Sequence, residues 1–172
     1  MTKKGKPVHL SKTTMTEMVM PNDTNPLGNL MGGNLLRWMD IGASICAAKH
    51  CESLVVTVSV DLVSFDEPIL LGEVVTIETT VTRAFNTSLE INVQVYASNI
   101  QGGDTRKCNS AYFTFVSLND DKTPRKVPKV LPITDEEIRL YESALRRRQI
   151  RLIQAGKLDP KQADEIRDFI NR

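Results

Sequence analysis

The chain has 172 residues, 41% hydrophobic and 25% charged, with a formal net charge of +1. That is enough for one core-bearing domain with an appendage, and the near-neutral balance argues against a dedicated nucleic-acid binder. No apolar run approaches the roughly 20 residues of a membrane span, and no apolar stretch follows the Lys-rich start as in a secretory leader, so a cytoplasmic protein away from membranes is expected. Cys46, Cys51 and Cys108 lack C-x-x-C spacing, which argues against a disulfide framework or zinc knuckle. A helix would put Cys46 and His50 on one face, but two ligands do not make a zinc centre, so no metal is expected.

Residues 1–12 read as a flexible basic arm. Residues 15–20 suit a short strand, and Pro21-Asn22-Asp23-Thr24-Asn25-Pro26 is a dense turn signal. Pro26 biases Asn25 away from helical dihedrals. After Gly28, Gly32 and Gly33, residues 34–50 contain good helix formers and no proline, with apolar side chains on nearly every side. Such a helix is expected to be buried and wrapped by other structure.

Four stretches with β-branched alternation follow, at 55–65, 74–85, 88–98 and 108–118. Asn86 marks a tight turn, and Gly102-Gly103 leads into the last strand. One buried helix followed by long antiparallel strands predicts an α+β architecture, a sheet curled around a helix. Pro124, Pro128 and Pro132 punctuate a linker. Thr134-Asp135-Glu136-Glu137 has the spacing of a capping box and opens a charged helix to about residue 155. Gly156 ends it, and Asp159-Pro160 starts another to about residue 170. The expected organisation is an arm at 1–12, a domain at 13–131 and a helical extension at 132–172.

Two features point to chemistry. Asp40 lies between Met39 and Ile41 in the helix expected to be buried, where ionised carboxylates are rare unless paired or functional. Removing a carboxylate from water makes it a better base; the structural alternative is an ion pair with Arg37 three residues earlier. Gly32-Gly33 opens the helix, where unpaired N–H groups carry partial positive charge and missing Cβ atoms admit a ligand. Such a place can hold a developing oxyanion, although glycines also serve tight turns. Asn25 equally suits an Asx-turn.

The run from Asn22 through Asn25, Gly28 and Gly32-Gly33 to Asp40 resembles the signature of hotdog-fold acyl-CoA thioesterases, including the YciA-like enzymes and brain-type acyl-CoA hydrolases. The resemblance continues through Ala43, Ala47, His50, Val56-Thr57, Phe65, Pro68 and Gly72. It returns at Thr87-Ser88 and Ala111-Tyr112-Phe113-Thr114-Phe115-Val116, and covers about residues 12–132.

It implies hydrolysis of an acyl-CoA thioester to a free acid and CoA. Asp40 matches the helix carboxylate that activates water or attacks the thioester directly. Asn25 matches the loop amide that orients substrate or water, and the helix-start amide near Gly33 would bind the thioester oxygen, with Gly32 beside it. Thr57 and Thr87 fall among the implied substrate contacts. The resemblance also implies a homodimer with active sites between subunits, assembled as a trimer of dimers. It implies no metal or redox cofactor, CoA being part of substrate and product.

The phosphates of CoA need cationic partners. Arg83 and Ser88, flanking the Asn86 turn, are first choices; Lys107, Arg125 and Lys126 are others, and for any single one a solvated surface charge is the stronger reading. The Arg146-Arg147-Arg148 run suits a solvated helix face. Trp38, Phe85 and Asn86 depart from the family pattern, and the tail matches it loosely. A dehydratase on the same fold would carry a histidine in the loop before the helix, and no histidine lies between His9 and His50. A non-catalytic acyl-CoA sensor is the remaining alternative.

Overall fold

The run of helix formers after Gly32-Gly33 becomes a 20-residue helix, α1 (Gly32–Cys51), in the computed structural model, which describes residues 5–171. Its Met39, Ala43, Cys46 and Ala47 are fully buried. They lie against the inward side chains of a five-stranded antiparallel sheet: β2 (Thr13–Met18), β3 (Leu54–Phe65), β4 (Val74–Ala84), β5 (Ser88–Ser98) and β6 (Arg106–Leu118). Alternation puts Val75, Ile77 and Val81 of β4, Leu89, Ile91, Val93 and Val95 of β5, and Phe113 and Phe115 of β6 into this core. At Gly42 the helix comes so near β4 that a Cβ would stand 3.3 Å from the Thr79 methyl.

The strand order is β2-β4-β5-β6-β3. β4, β5 and β6 are successive hairpins, with Phe85 N donating to Ser88 O across the Asn86 turn. β3 instead joins the far edge beside β6. Residues 66–73 must therefore carry the chain across the sheet. They tie to the turn before α1 as they cross: Leu30 N donates to Ile69 O at 2.7 Å and Leu71 N to Gly28 O at 3.1 Å.

Two expectations are corrected. First, α1 is not buried on every side, since Ile41 and Ile45 stay exposed on the face away from the sheet. Second, the basic arm is packed from residue 5 onward; residues 1–4 lie outside the described residues. β1 (Lys6–Pro7) pairs in parallel with β7 (Val130–Leu131), and Val8 and Ser11 are buried. Lys6 Nζ donates to Lys49 O and pairs with Glu52 at the carboxyl end of α1, where a cation complements the helix dipole.

The chain divides at Leu131/Pro132 into two compact units. In the second, Thr134 and Glu137 form the expected capping box of α2 (Asp135–Gln154), which ends before Gly156 at φ +66. A short 3-10 turn at Pro160–Gln162 precedes α3 (Asp164–Ile170), so the second expected helix is interrupted at Ala163. The Arg146 guanidinium over the Phe169 ring at 4.4 Å joins α2 to α3.

His50, fully buried at the end of α1, links three segments: Nε2 lies 3.0 Å from Pro128 O and Nδ1 3.4 Å from Ser11 Oγ. Burial, helped by the nearby Lys6 charge, lowers its pKa against the opposing pull of the Pro128 carbonyl. The unfolded chain therefore binds a proton that the folded chain refuses. Stability is expected to be flat above the ordinary value of 6.5. Below it, His50 should cost up to about 1.4 kcal/mol per pH unit, which urea midpoints between pH 8 and 5 would register. A His50→Gln chain showing the same acid slope would refute this assignment.

Candidate active site

The polar groups converge on two places in the chain. The first is the start of α1. The Asn25 side chain closes its own loop: Oδ1 accepts from Leu27 N at 2.9 Å and Asn29 N at 3.2 Å. This is the Asx arrangement, and it leaves Nδ2 without a partner among the described residues. The loop is held to the helix start by Met31 N donating to Asp23 O and by Asn34 Nδ2 donating to the same carbonyl.

A Cβ on Gly33 would meet nothing within 4 Å, so the helix-start amides there are open to a ligand. Gly32 is glycine for another reason: its Cβ would stand 3.3 Å from the Phe65 ring. Beside Asn25 lies a cavity of about 280 Å³ walled by Leu30, Leu35, Phe65, Pro68 and Ile69. Cys108 also faces it, but burial raises the pKa of that thiol, which disfavours the nucleophilic thiolate.

The second place is the middle of α1. Asp40 is half-buried, and its Oδ1 accepts a 2.7 Å hydrogen bond from Thr57 Oγ1 on the neighbouring edge strand. Among the described residues no cation lies within ion-pair distance of it, so the pair with Arg37 does not form. Asp40 is seven residues beyond Gly33, roughly 10 Å along the helix axis. Along β3, Thr57 pairs with Phe115 and Phe65 with Asn109, so the two places sit toward opposite ends of that strand. Asn25 and Gly33 do not meet Asp40 within one chain.

The candidate CoA contacts also separate. Arg83, Thr87, Ser88 and Arg125 gather at the Thr57 end: Ser88 pairs with Val116, Ser117 N donates to Thr87 O, and Arg125 N donates to Ser117 O. Arg125 Nη1 further donates to Glu52 O. Lys107, paired with Tyr96, is nine residues from Val116 along β6, roughly 30 Å away, and does not join them. The sequence reading missed Arg106, whose guanidinium grips Glu73 with Nη1 at 2.7 Å and Nη2 at 2.8 Å. The only sequence signal was a charged residue two positions before the expected strand.

Cys46 and Cys51 are buried, each with its pKa pushed up to about 11 by burial, as inert structural thiols are. Among the described residues no group of three or more His, Cys, Asp or Glu could hold a metal ion. No helix of the described residues is long and apolar enough to cross a membrane.

A five-stranded antiparallel sheet folded over a central helix is the hotdog arrangement, and residues 27–103 match the family model of the thioesterase superfamily. The chain belongs to that superfamily, and within it to the acyl-CoA thioester hydrolases. It is 39% identical over 137 residues to the uncharacterised acyl-CoA thioester hydrolase YkhA of Bacillus subtilis, covering 80% of each chain. It is 34% identical over 157 residues to the cytosolic acyl coenzyme A thioester hydrolase of Mus musculus, covering 90% of this chain and 41% of that one.

Among solved structures, the acyl-CoA hydrolase of Bacillus cereus superposes with a TM-score of 0.85 at 34% identity, covering 90% of this chain and 94% of that one. An apo-hexameric acyl-CoA thioesterase gives 0.84 at 38% identity, covering 87% and 96%. The Staphylococcus aureus acyl-CoA hydrolase, solved with butyryl coenzyme A, coenzyme A and coenzyme A disulfide, gives 0.82 at 34% identity, covering 88% and 94%. Alanine variants of an asparagine, an aspartate and a threonine of that enzyme have also been solved. The three residues are spaced by fifteen and then seventeen positions, as Asn25, Asp40 and Thr57 are here.

Proposed function

We propose that this thioesterase hydrolyses acyl-CoA at a site shared between two copies of the chain, with Asp40 as the base or nucleophile. The observation that carries the reading is the Thr57–Asp40 hydrogen bond at 2.7 Å on a carboxylate with no cationic partner among the described residues. The equal spacing of the three residues varied in the Staphylococcus aureus enzyme supports it.

Acting as a base, Asp40 takes a proton from water, whose oxygen attacks the thioester carbon. The carbonyl oxygen gains the negative charge and is held by the Gly33 amide, while Asn25 Nδ2 orients substrate or water. The intermediate collapses with cleavage of the C–S bond. The proton on Asp40 passes to the CoA sulfur, leaving free acid and CoA. Attack by Asp40 itself on the thioester carbon would break the C–S bond, expel CoA as its thiolate and give a mixed anhydride. Water then opens the anhydride to free acid and the Asp40 carboxylate, and the proton released goes to the thiolate. Neither route needs a cofactor. The acyl chain enters the cavity beside Asn25, and Arg83, Ser88 and Arg125 at the other end of the strand face the phosphates of CoA.

The edge strand supports the sharing. Among the described residues β3 has no strand on its outer side; it exposes Val58, Val60 and Leu62, and Ile41 and Ile45 of α1 are exposed as well, an edge that a globular protein covers. Two copies of β3 paired antiparallel about a two-fold axis near Asp61 bring Thr57 of one chain opposite Phe65 of the partner subunit. Asp40 of one chain then meets the helix start of the other. Three such dimers form the hexamer, in keeping with the hexameric thioesterase. A cytoplasmic location fits the relative named as cytosolic.

Purified protein given acyl-CoA and a thiol reagent should release free CoA thiol. Tight binding of acyl-CoA without thiol release would favour the sensor reading.

A further inference from the structure

Residues 66–73, which supply Pro68 and Ile69, cross from one edge strand to the other side of the sheet; Ile69 is buried, and Asp66 N and Glu67 N both donate to Cys108 O. Arg106, at the opening of β6, holds them with one guanidinium. Its Nη1 and Nη2 grip Glu73, its Nη2 also donates to Pro68 O at 2.8 Å, and its Nε lies 3.2 Å from a Glu67 carboxylate oxygen. Glu73 is nearly buried, and its Oε2 accepts from Leu70 N at 2.8 Å. Arg106 thus draws its partners from three points of the crossing segment. That segment in turn fixes the Asn25 loop, through Leu30 N to Ile69 O and an isolated bridge between Asn29 and Leu70.

A fork of this kind fixes both distance and angle, which a lysine ammonium does not. We propose that Arg106 is a positioning residue that sets the acyl-chain preference of the enzyme by fixing the wall formed by Pro68 and Ile69. Arg106 does not touch the reacting atoms; it acts through the backbone of Pro68 and the carboxylate of Glu73. The proposal rests on the cavity beside Asn25 being the acyl pocket. A role confined to stability would lower the amount of folded enzyme and leave the preference among chains unchanged.

The test uses the full chain and a panel of acetyl-, hexanoyl- and dodecanoyl-CoA. Loosening one wall of an apolar pocket weakens its hold on methylenes. Arg106→Gln should therefore raise KM for dodecanoyl-CoA about tenfold relative to acetyl-CoA, with kcat on each substrate changed less than about twofold. Arg106→Lys keeps a cation beside Glu73 but cannot also hold Pro68 O and Glu67. It should shift the preference in the same direction by about threefold. Should Arg106→Gln fail to fold, the lysine variant decides.

Equal losses of kcat/KM on all three substrates, or an unchanged profile, would overturn the proposal while leaving the hydrolase reading intact. Absence of turnover of any panel member by the unaltered chain would instead sink the hydrolase reading, and the proposal with it.

Discussion

Asp40→Asn is expected to lower kcat by about 10²–10⁴-fold, the usual effect of removing a general base or nucleophile. That loss corresponds to roughly 3–5.5 kcal/mol of transition-state stabilisation. The substitution is isosteric, and the amide oxygen can still accept from Thr57 Oγ1, so the 2.7 Å contact on the edge strand need not be lost. What disappears is the anionic oxygen that accepts a proton from water or attacks the thioester. Asp40 has no ion-pair partner among the described residues, so the variant leaves no buried cation behind. Its melting temperature should stay within about 2 °C of the unaltered chain. Loss of thiol release at an unchanged melting temperature is therefore the expected pair of results. Retention of most of kcat would remove Asp40 from the chemistry, and a parallel loss of folding would make its role structural.

The strands were legible because each carries local alternation of β-branched and polar residues. β3, β4 and β5 begin and end within about a residue of their sequence-based bounds, and β6 starts two residues earlier. Pairing was not legible. Nothing in the alternation of β3 says that it joins β6 rather than β4, because pairing depends on where residues 66–73 take the chain.

The helix shows a different gap. Ile41 and Ile45 are apolar, and the sequence cannot distinguish burial within the chain from burial against a second copy; here they remain exposed. The Asx-turn reading of Asn25 holds, since Oδ1 closes the turn, and among the described residues Nδ2 is left over for the role proposed for it. Arg106 and Glu73 were invisible as a pair because 33 residues separate them, and only the fold brings them to 2.7 Å. Lys107 and Arg125 looked equivalent as candidate phosphate ligands. Register alone separates them, placing one at each end of β6.

Mixing two inactive chains should restore activity. Under the shared-site reading, each site takes Asn25 from one subunit and Asp40 from the other. An Asn25→Ala homodimer then lacks the loop amide at both sites, and an Asp40→Ala homodimer lacks the carboxylate at both. In a mixed dimer, the site that draws Asp40 from the first variant and Asn25 from the second is whole, and its companion carries both defects. Random pairing makes about half of all dimers mixed, so about a quarter of all sites are intact by the symmetry of an isologous two-fold pair. Co-expression of the two variants with different affinity tags, followed by purification through both, isolates assemblies that contain both variants, and in a randomly paired trimer of dimers about a quarter of their sites are whole. Thiol release by that fraction should approach a quarter of the rate of the unaltered enzyme per subunit. The expectation rests on Gly33 and Asp40 standing roughly 10 Å apart along one helix. Mixed dimers no more active than either variant alone would mean that Asn25 and Asp40 serve one site within a single subunit. The pairing of β3 about Asp61 would then have to be abandoned.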